Sequence, residues 1–68
     1  MNKFPERLKA LRVENNLTQT ELAKQIGFTQ TGIARWEAGE RNPSIEMLIV
    51  LARFFKVSID YLVGFVEY

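Results

Sequence analysis

A chain of 68 residues with a formal net charge of +1, 47% hydrophobic and 25% charged, has the profile of one small globular domain, not of a disordered segment. Cysteine and histidine are absent, which excludes disulfides, thiol nucleophiles, zinc knuckles and imidazole acid–base chemistry. So small a balance of charge gives no general attraction for nucleic acid, and any such role has to be argued from particular residues.

The apolar pattern is helical from end to end, with no strand alternation, repeat or low-complexity linker. Phe4, Leu8 and Leu11 recur at helical spacing, Pro5 suits a first turn, and Asn15-Asn16 closes this first helix, expected over about 4–15, because asparagine tolerates the left-handed conformation. Thr18-Gln19-Thr20-Glu21 has the spacing of a capping box and opens a second helix, 18–26, with Leu22, Ala23 and Ile26 on one face and Gly27 as its stop. Thr29 caps a third helix, 29–38, which carries Ile33 and Trp36 and ends at Gly39. After the loop Glu40-Arg41-Asn42-Pro43, Ser44 caps a fourth helix, 44–55. That helix is apolar round most of its circumference, so it is either the centre of the core or half core and half interface. Ser58 caps a short fifth helix, 58–63, with Ile59, Leu62 and Val63. The expected fold is therefore all-α: one compact five-helix bundle spanning 1–68.

The informative stretch runs from Gln19 to Trp36. Two short amphipathic helices are joined there by only Gly27-Phe28-Thr29, a joint that crosses helices steeply. The crossing needs a small side chain, supplied by Ala23, and the turn needs positive φ, supplied by Gly27. Leu22, Ile26, Ile33 and Trp36 point inward, which makes Trp36 a core residue and not a stacking platform for bases.

The sequence resembles the small helix-turn-helix repressors of the Cro/cI type, a group that includes xenobiotic-response-element regulators. The resemblance rests on Leu17-Thr18-Gln19, Glu21-Leu22-Ala23, Ile26-Gly27, Thr29-Gln30, Ile33-Ala34-Arg35-Trp36-Glu37 and Gly39, and continues through Pro43-Ser44, Leu51-Ala52, Val57-Ser58 and Asp60-Tyr61-Leu62. It implies a lambda-repressor-like fold and a homodimer binding double-stranded DNA at a two-fold operator, with the third helix in the major groove. Gln30 and Thr31 lie in the first turn of that helix, and Arg35 follows one turn after Thr31; glutamine, threonine and arginine suit adenine, the thymine methyl and guanine respectively. Positions matching these three contact bases in the family. The position matching Gln19 binds phosphate, and the same carry-over assigns phosphate contacts to Arg41, Asn42, Thr18 and Thr29, the two threonines being caps first. The resemblance also implies a partly buried ion pair between Arg12 and Glu37, structural like Ala23, Gly27, Ile33 and Trp36.

Lys9, Lys24, Arg53 and Lys56 are expected to be solvated, whereas Lys3 and Arg7 are open between a solvated role and flanking phosphates. Two residues depart from the family pattern: Gly32 loosens the third helix by about 1 kcal/mol, and Glu40 stands where a basic residue is frequent. Dimerisation is expected through the fourth helix and the 59–68 tail, with Phe54, Phe65 and Tyr68 as possible anchors, unless the tail simply closes the core, which is equally open for Phe65 and favoured for Leu62; the alternatives to a free-standing regulator are a DNA-binding piece of a larger one, or a protein-interaction module on the same fold. No catalytic residue, metal, cofactor or small-molecule ligand is indicated, and no enzyme is expected from so small a bundle. The longest apolar run, Met47–Ala52, is too short for a membrane span, and the expected location is cytoplasmic.

Overall fold

Four of the helices begin at a hydroxyl side chain that takes up an orphan amide. Thr18 Oγ1 accepts from the Glu21 amide at 3.0 Å while Glu21 Oε1 accepts from the Thr18 amide at 2.8 Å, completing the capping box. Thr29, Ser44 and Ser58 accept from Gly32, Met47 and Tyr61 in the same way. The first helix starts differently: Lys3 offers no cap, and Asn2 Oδ1 accepts from the Phe4 amide at 2.8 Å. The computed structural model describes residues 2–67. Among them the chain forms five helices and no strand: α1 (Phe4–Glu14), α2 (Gln19–Ile26), α3 (Gln30–Glu37), α4 (Ile45–Phe55) and α5 (Ile59–Val63).

The stops follow the same economy of hydrogen bonds. Asn16 takes φ +59°, and the Leu17 amide reaches back to the Arg12 carbonyl. Gly27 at φ +72° lets the Phe28 amide bond the Ala23 carbonyl, which turns the chain sharply into α3. Lys56 closes α4 in the left-handed region at φ +58° without glycine.

Helix α1 packs on α3 and α5, α2 on α3, and α4 on α5. The core is Phe4, Leu8, Leu11, Leu22, Ala23, Ile33, Trp36, Leu51, Ala52 and Leu62, with Phe4 edge-on to Trp36. Each fully buried large aliphatic side chain contributes about 1.5–3 kcal/mol. Helix α4 is half core and half exposed. It buries only Leu51 and Ala52, while Ile45 is 72% exposed and Ile49, Val50 and Phe54 also face outward. Phe65 is 79% exposed; Tyr68, the other terminal residue expected at an interface, lies outside the described residues.

The chain after α5 folds back onto α1 through Arg7. Its Nη1 donates to the carbonyls of Tyr61 and Val66 at 2.9 and 2.8 Å, and its guanidinium lies 4.3 Å from the centroid of the Tyr61 ring. Arg7 is thus engaged internally and is not available for phosphate, which corrects one of the two readings open for it. Lys3 leans toward the same tail, with Nζ 3.9 Å from Glu67, an exposed pair of small energetic consequence.

Candidate nucleic-acid interface

The α2–α3 corner rests on an ion pair. Arg12 Nε donates to Glu37 Oε2 at 2.7 Å and Nη2 to Oε1 at 3.0 Å, a two-pronged geometry that arginine's planar fork favours. The side chains are only 12% and 6% exposed. Arg12 Nη1 also donates to the Leu17 carbonyl at 2.8 Å, so one guanidinium ties α1, the α1–α2 turn and the end of α3 together. Hydrogen bonding to Glu37 raises the Arg12 pKa from an already high value, partly offset by burial.

From Glu37 a line of hydrogen bonds runs outward. Gln19 Nε2 donates to Glu37 Oε1 at 3.1 Å, and Gln30 Nε2 donates to Gln19 Oε1 at 2.8 Å. The first residues of α2 and α3 are therefore joined side chain to side chain at the surface. Spacing along the sequence carried no sign of the Gln19–Glu37 bond, because its partners are brought together only by the helix crossing.

On the other flank, Thr29, Thr31, Arg35, Arg41 and Asn42 border one cleft of about 420 Å³ between α3 and the loop leading to α4. All five are exposed. Among the described residues neither Arg35 nor Arg41 has an acidic partner within ion-pair distance. Asn42 is tied down, its Oδ1 accepting from Asn2 Nδ2 at 3.1 Å. Thr18 and Thr29 use an oxygen lone pair for capping, which leaves each hydroxyl hydrogen free to donate elsewhere. The expected site residues thus fall into two groups: Thr18, Gln19 and Gln30 at the paired helix starts, and the five lining the cleft.

Gly32 has a role that its helix propensity concealed. The Phe28 ring stacks on Trp36 with centroids 4.4 Å apart and planes 8° from parallel, and a Cβ at position 32 would collide with the edge of that ring at Cε2. The glycine gives the aromatic stack room on the outer face of α3, and a bulky residue four positions before a glycine is the only trace of this in the sequence. Gly32→Ala should accordingly be near neutral for stability. Its gain of about 1 kcal/mol in helix propensity is offset by loss of a stack worth about 0.5–1.5 kcal/mol. In a Phe28→Ala background the same change should stabilise by about 1 kcal/mol. Denaturant unfolding of the four proteins checks this, and equal effects in both backgrounds would contradict it.

The helix-turn-helix family model matches residues 8–62. The HTH-type transcriptional activator BcrR of Enterococcus faecalis is 43% identical over 61 residues, covering 90% of this chain and 30% of that protein. A transcriptional regulator from Listeria innocua superposes with a TM-score of 0.90 at 37% identity, over 100% of this chain and 64% of the other. The P22 c2 repressor, crystallised with a synthetic operator, superposes with a TM-score of 0.85 at 32% identity, over 93% of this chain and 96% of that one. The chain belongs to the Cro/cI-type helix-turn-helix family of transcriptional regulators. It spans between 30% and 57% of the length of the first curated relatives.

Proposed function

We propose that this chain is a sequence-specific double-stranded DNA-binding domain that lays α3 in the major groove of a two-fold operator and thereby regulates transcription. One observation carries the reading: the starts of α2 and α3 are joined through Gln19 and Gln30, and the cleft beside α3 carries Arg35 and Arg41 with no acidic partner among the described residues, in the fold that the P22 c2 repressor brings to its operator. Gln30, Thr31 and Arg35 are the base readers. Thr18, Gln19, Thr29, Arg41 and Asn42 hold phosphates, helped by the amides and dipole at the start of α3. Nothing in this role calls for a catalytic residue, and it places the chain in the cytoplasm with its DNA.

A second copy covers the outward apolar side chains of α4, together with Phe65. Burial of such side chains supplies the pairing that two half-sites one helical turn apart require. A dimer sitting across a promoter occludes it, which makes repression the proposed outcome. Activation is the second reading, supported by the likeness to BcrR, and the position of the operator decides between them.

With a net charge of only +1, general attraction to DNA is weak, so each phosphate contact counts. Arg41→Ala should weaken binding equally across sequences and reduce the slope of log affinity against log salt by about 1. A salt titration on matched and scrambled duplexes reads both quantities. An unchanged slope would remove Arg41 from the interface.

A further inference from the structure

We infer that Asn2, just ahead of α1, fixes the side-chain amide of Asn42 with its NH2 group turned outward for a DNA phosphate. This rests on the reading of Asn42 as a phosphate contact and adds a positioning residue that acts through it.

The direction of the Asn2–Asn42 pair is set at its inner end. A backbone N–H can only donate, so the Asn2 atom facing the Phe4 amide at 2.8 Å is Oδ1. Phe4 is 1% exposed and begins α1, so this anchor does not turn. Asn2 therefore sends its NH2 toward Asn42, and Asn42 meets it with its own oxygen at 3.1 Å. Both N–H groups of Asn42 lie outside that bond and can donate to a ligand. A phosphate oxygen only accepts, so this is the orientation it needs. The reverse one would set Asn42 Oδ1 against a negative charge.

The loop that carries Asn42 lies against the start of α1 at a second point. A Cβ on Gly39 would come to 3.8 Å from Pro5 Cγ. Arg41 and Asn42, both exposed, thus belong to a loop braced at one end by Pro5 and at the other by Asn2, on either side of the buried Phe4. Such bracing lowers the cost of ordering polar side chains when they meet a ligand. An asparagine alone on an exposed loop would turn its amide either way, and one of the two ways repels phosphate. Here the first amide of α1 removes that choice.

The experiment measures affinity for a matched duplex across a cycle of four proteins: the parent, Asn2→Asp, Asn42→Ala and the two changes combined. Aspartate keeps an oxygen for the Phe4 amide, so Asn2→Asp should melt no lower than the parent. Its second oxygen can only accept, so Asn42 must turn its NH2 inward and its Oδ1 toward the phosphate. The added negative charge weakens binding whichever residue stands at position 42, and it cancels in the comparison. Asn42→Ala should cost about 10-fold in the parent, as expected for one hydrogen bond to a charged group. In the Asn2→Asp background the same change should cost less than about twofold. A merely structural role for Asn2 would leave the cost alike in both backgrounds. Equal costs therefore overturn the inference and keep Asn42 as a phosphate contact. A melting temperature of Asn2→Asp well below the parent's would mean that residue 2 does not hold the Phe4 amide, and overturns it too. If Asn42→Ala costs nothing in the parent, the phosphate reading of Asn42 fails and the inference fails with it.

Discussion

Glu37→Ala is expected to lower the free energy of unfolding by about 3–5 kcal/mol, because it strands a guanidinium that is already withdrawn from water. Arg12 is only 12% exposed at its side chain and directs Nε and Nη2 at Glu37. Without the carboxylate those donors have no replacement within the fold, and Gln19 loses its anchor as well. Domains of this size have total stabilities of about 3–10 kcal/mol, so the variant stands close to the point of unfolding. The melting temperature should fall by about 12–40 °C.

Replacing both members, Arg12→Met with Glu37→Leu, should recover much of that loss, since an apolar pair has no charge to desolvate. Thermal unfolding of the parent, Arg12→Met, Glu37→Leu and the double variant measures the coupling. A Glu37→Ala protein within about 1 kcal/mol of the parent would place the pair among ordinary exposed salt bridges. High pH should not mimic the substitution. The Arg12 pKa is raised in the folded state, so its contribution is fully present below the unfolded value and is lost only as pH climbs through the still higher folded one.

The helix starts were legible in the sequence because threonine and serine caps act within three residues of themselves. Thr18, Thr29, Ser44 and Ser58 all cap where local spacing places them. The inward set on α2 and α3 was legible for a related reason: periodicity on short amphipathic helices leaves one face to bury, and Leu22, Ile33 and Trp36 are buried while Ile26 is partly buried against the core. Helix α4 was not, because an apolar surface all round has no polar face to show which side meets solvent. Local rules also miss contacts between residues far apart in the chain. Arg7 reaches across to Val66, Asn2 to Asn42, and Gln19 to Glu37, and each pairing exists only once the helices are packed. The propensity cost of Gly32 was legible but its compensation was not, the neighbour it makes room for being a ring that turns back from the preceding loop. The candidate interface was therefore visible as a set of residues, while the bonds that orient its members were not.

Arg35→Ala is expected to remove about 1–3 kcal/mol of binding to the preferred duplex and to relax one base pair in each half-site. Arg35 is exposed on α3 at the edge of the cleft, one turn after Thr31, and among the described residues no acidic group holds it back. A guanidinium so placed can give two hydrogen bonds to guanine, and alanine can give none. Selection of bound duplexes from a random pool, run in parallel with the parent chain and Arg35→Ala, is the most direct test. The parent should return a two-fold motif with half-sites about 34 Å apart, and the variant should return the same motif with one position per half-site degenerate. No motif from the parent even at low salt and with a fused dimerising segment, or an identical motif from Arg35→Ala, would contradict the assignment of α3 as the element that reads DNA.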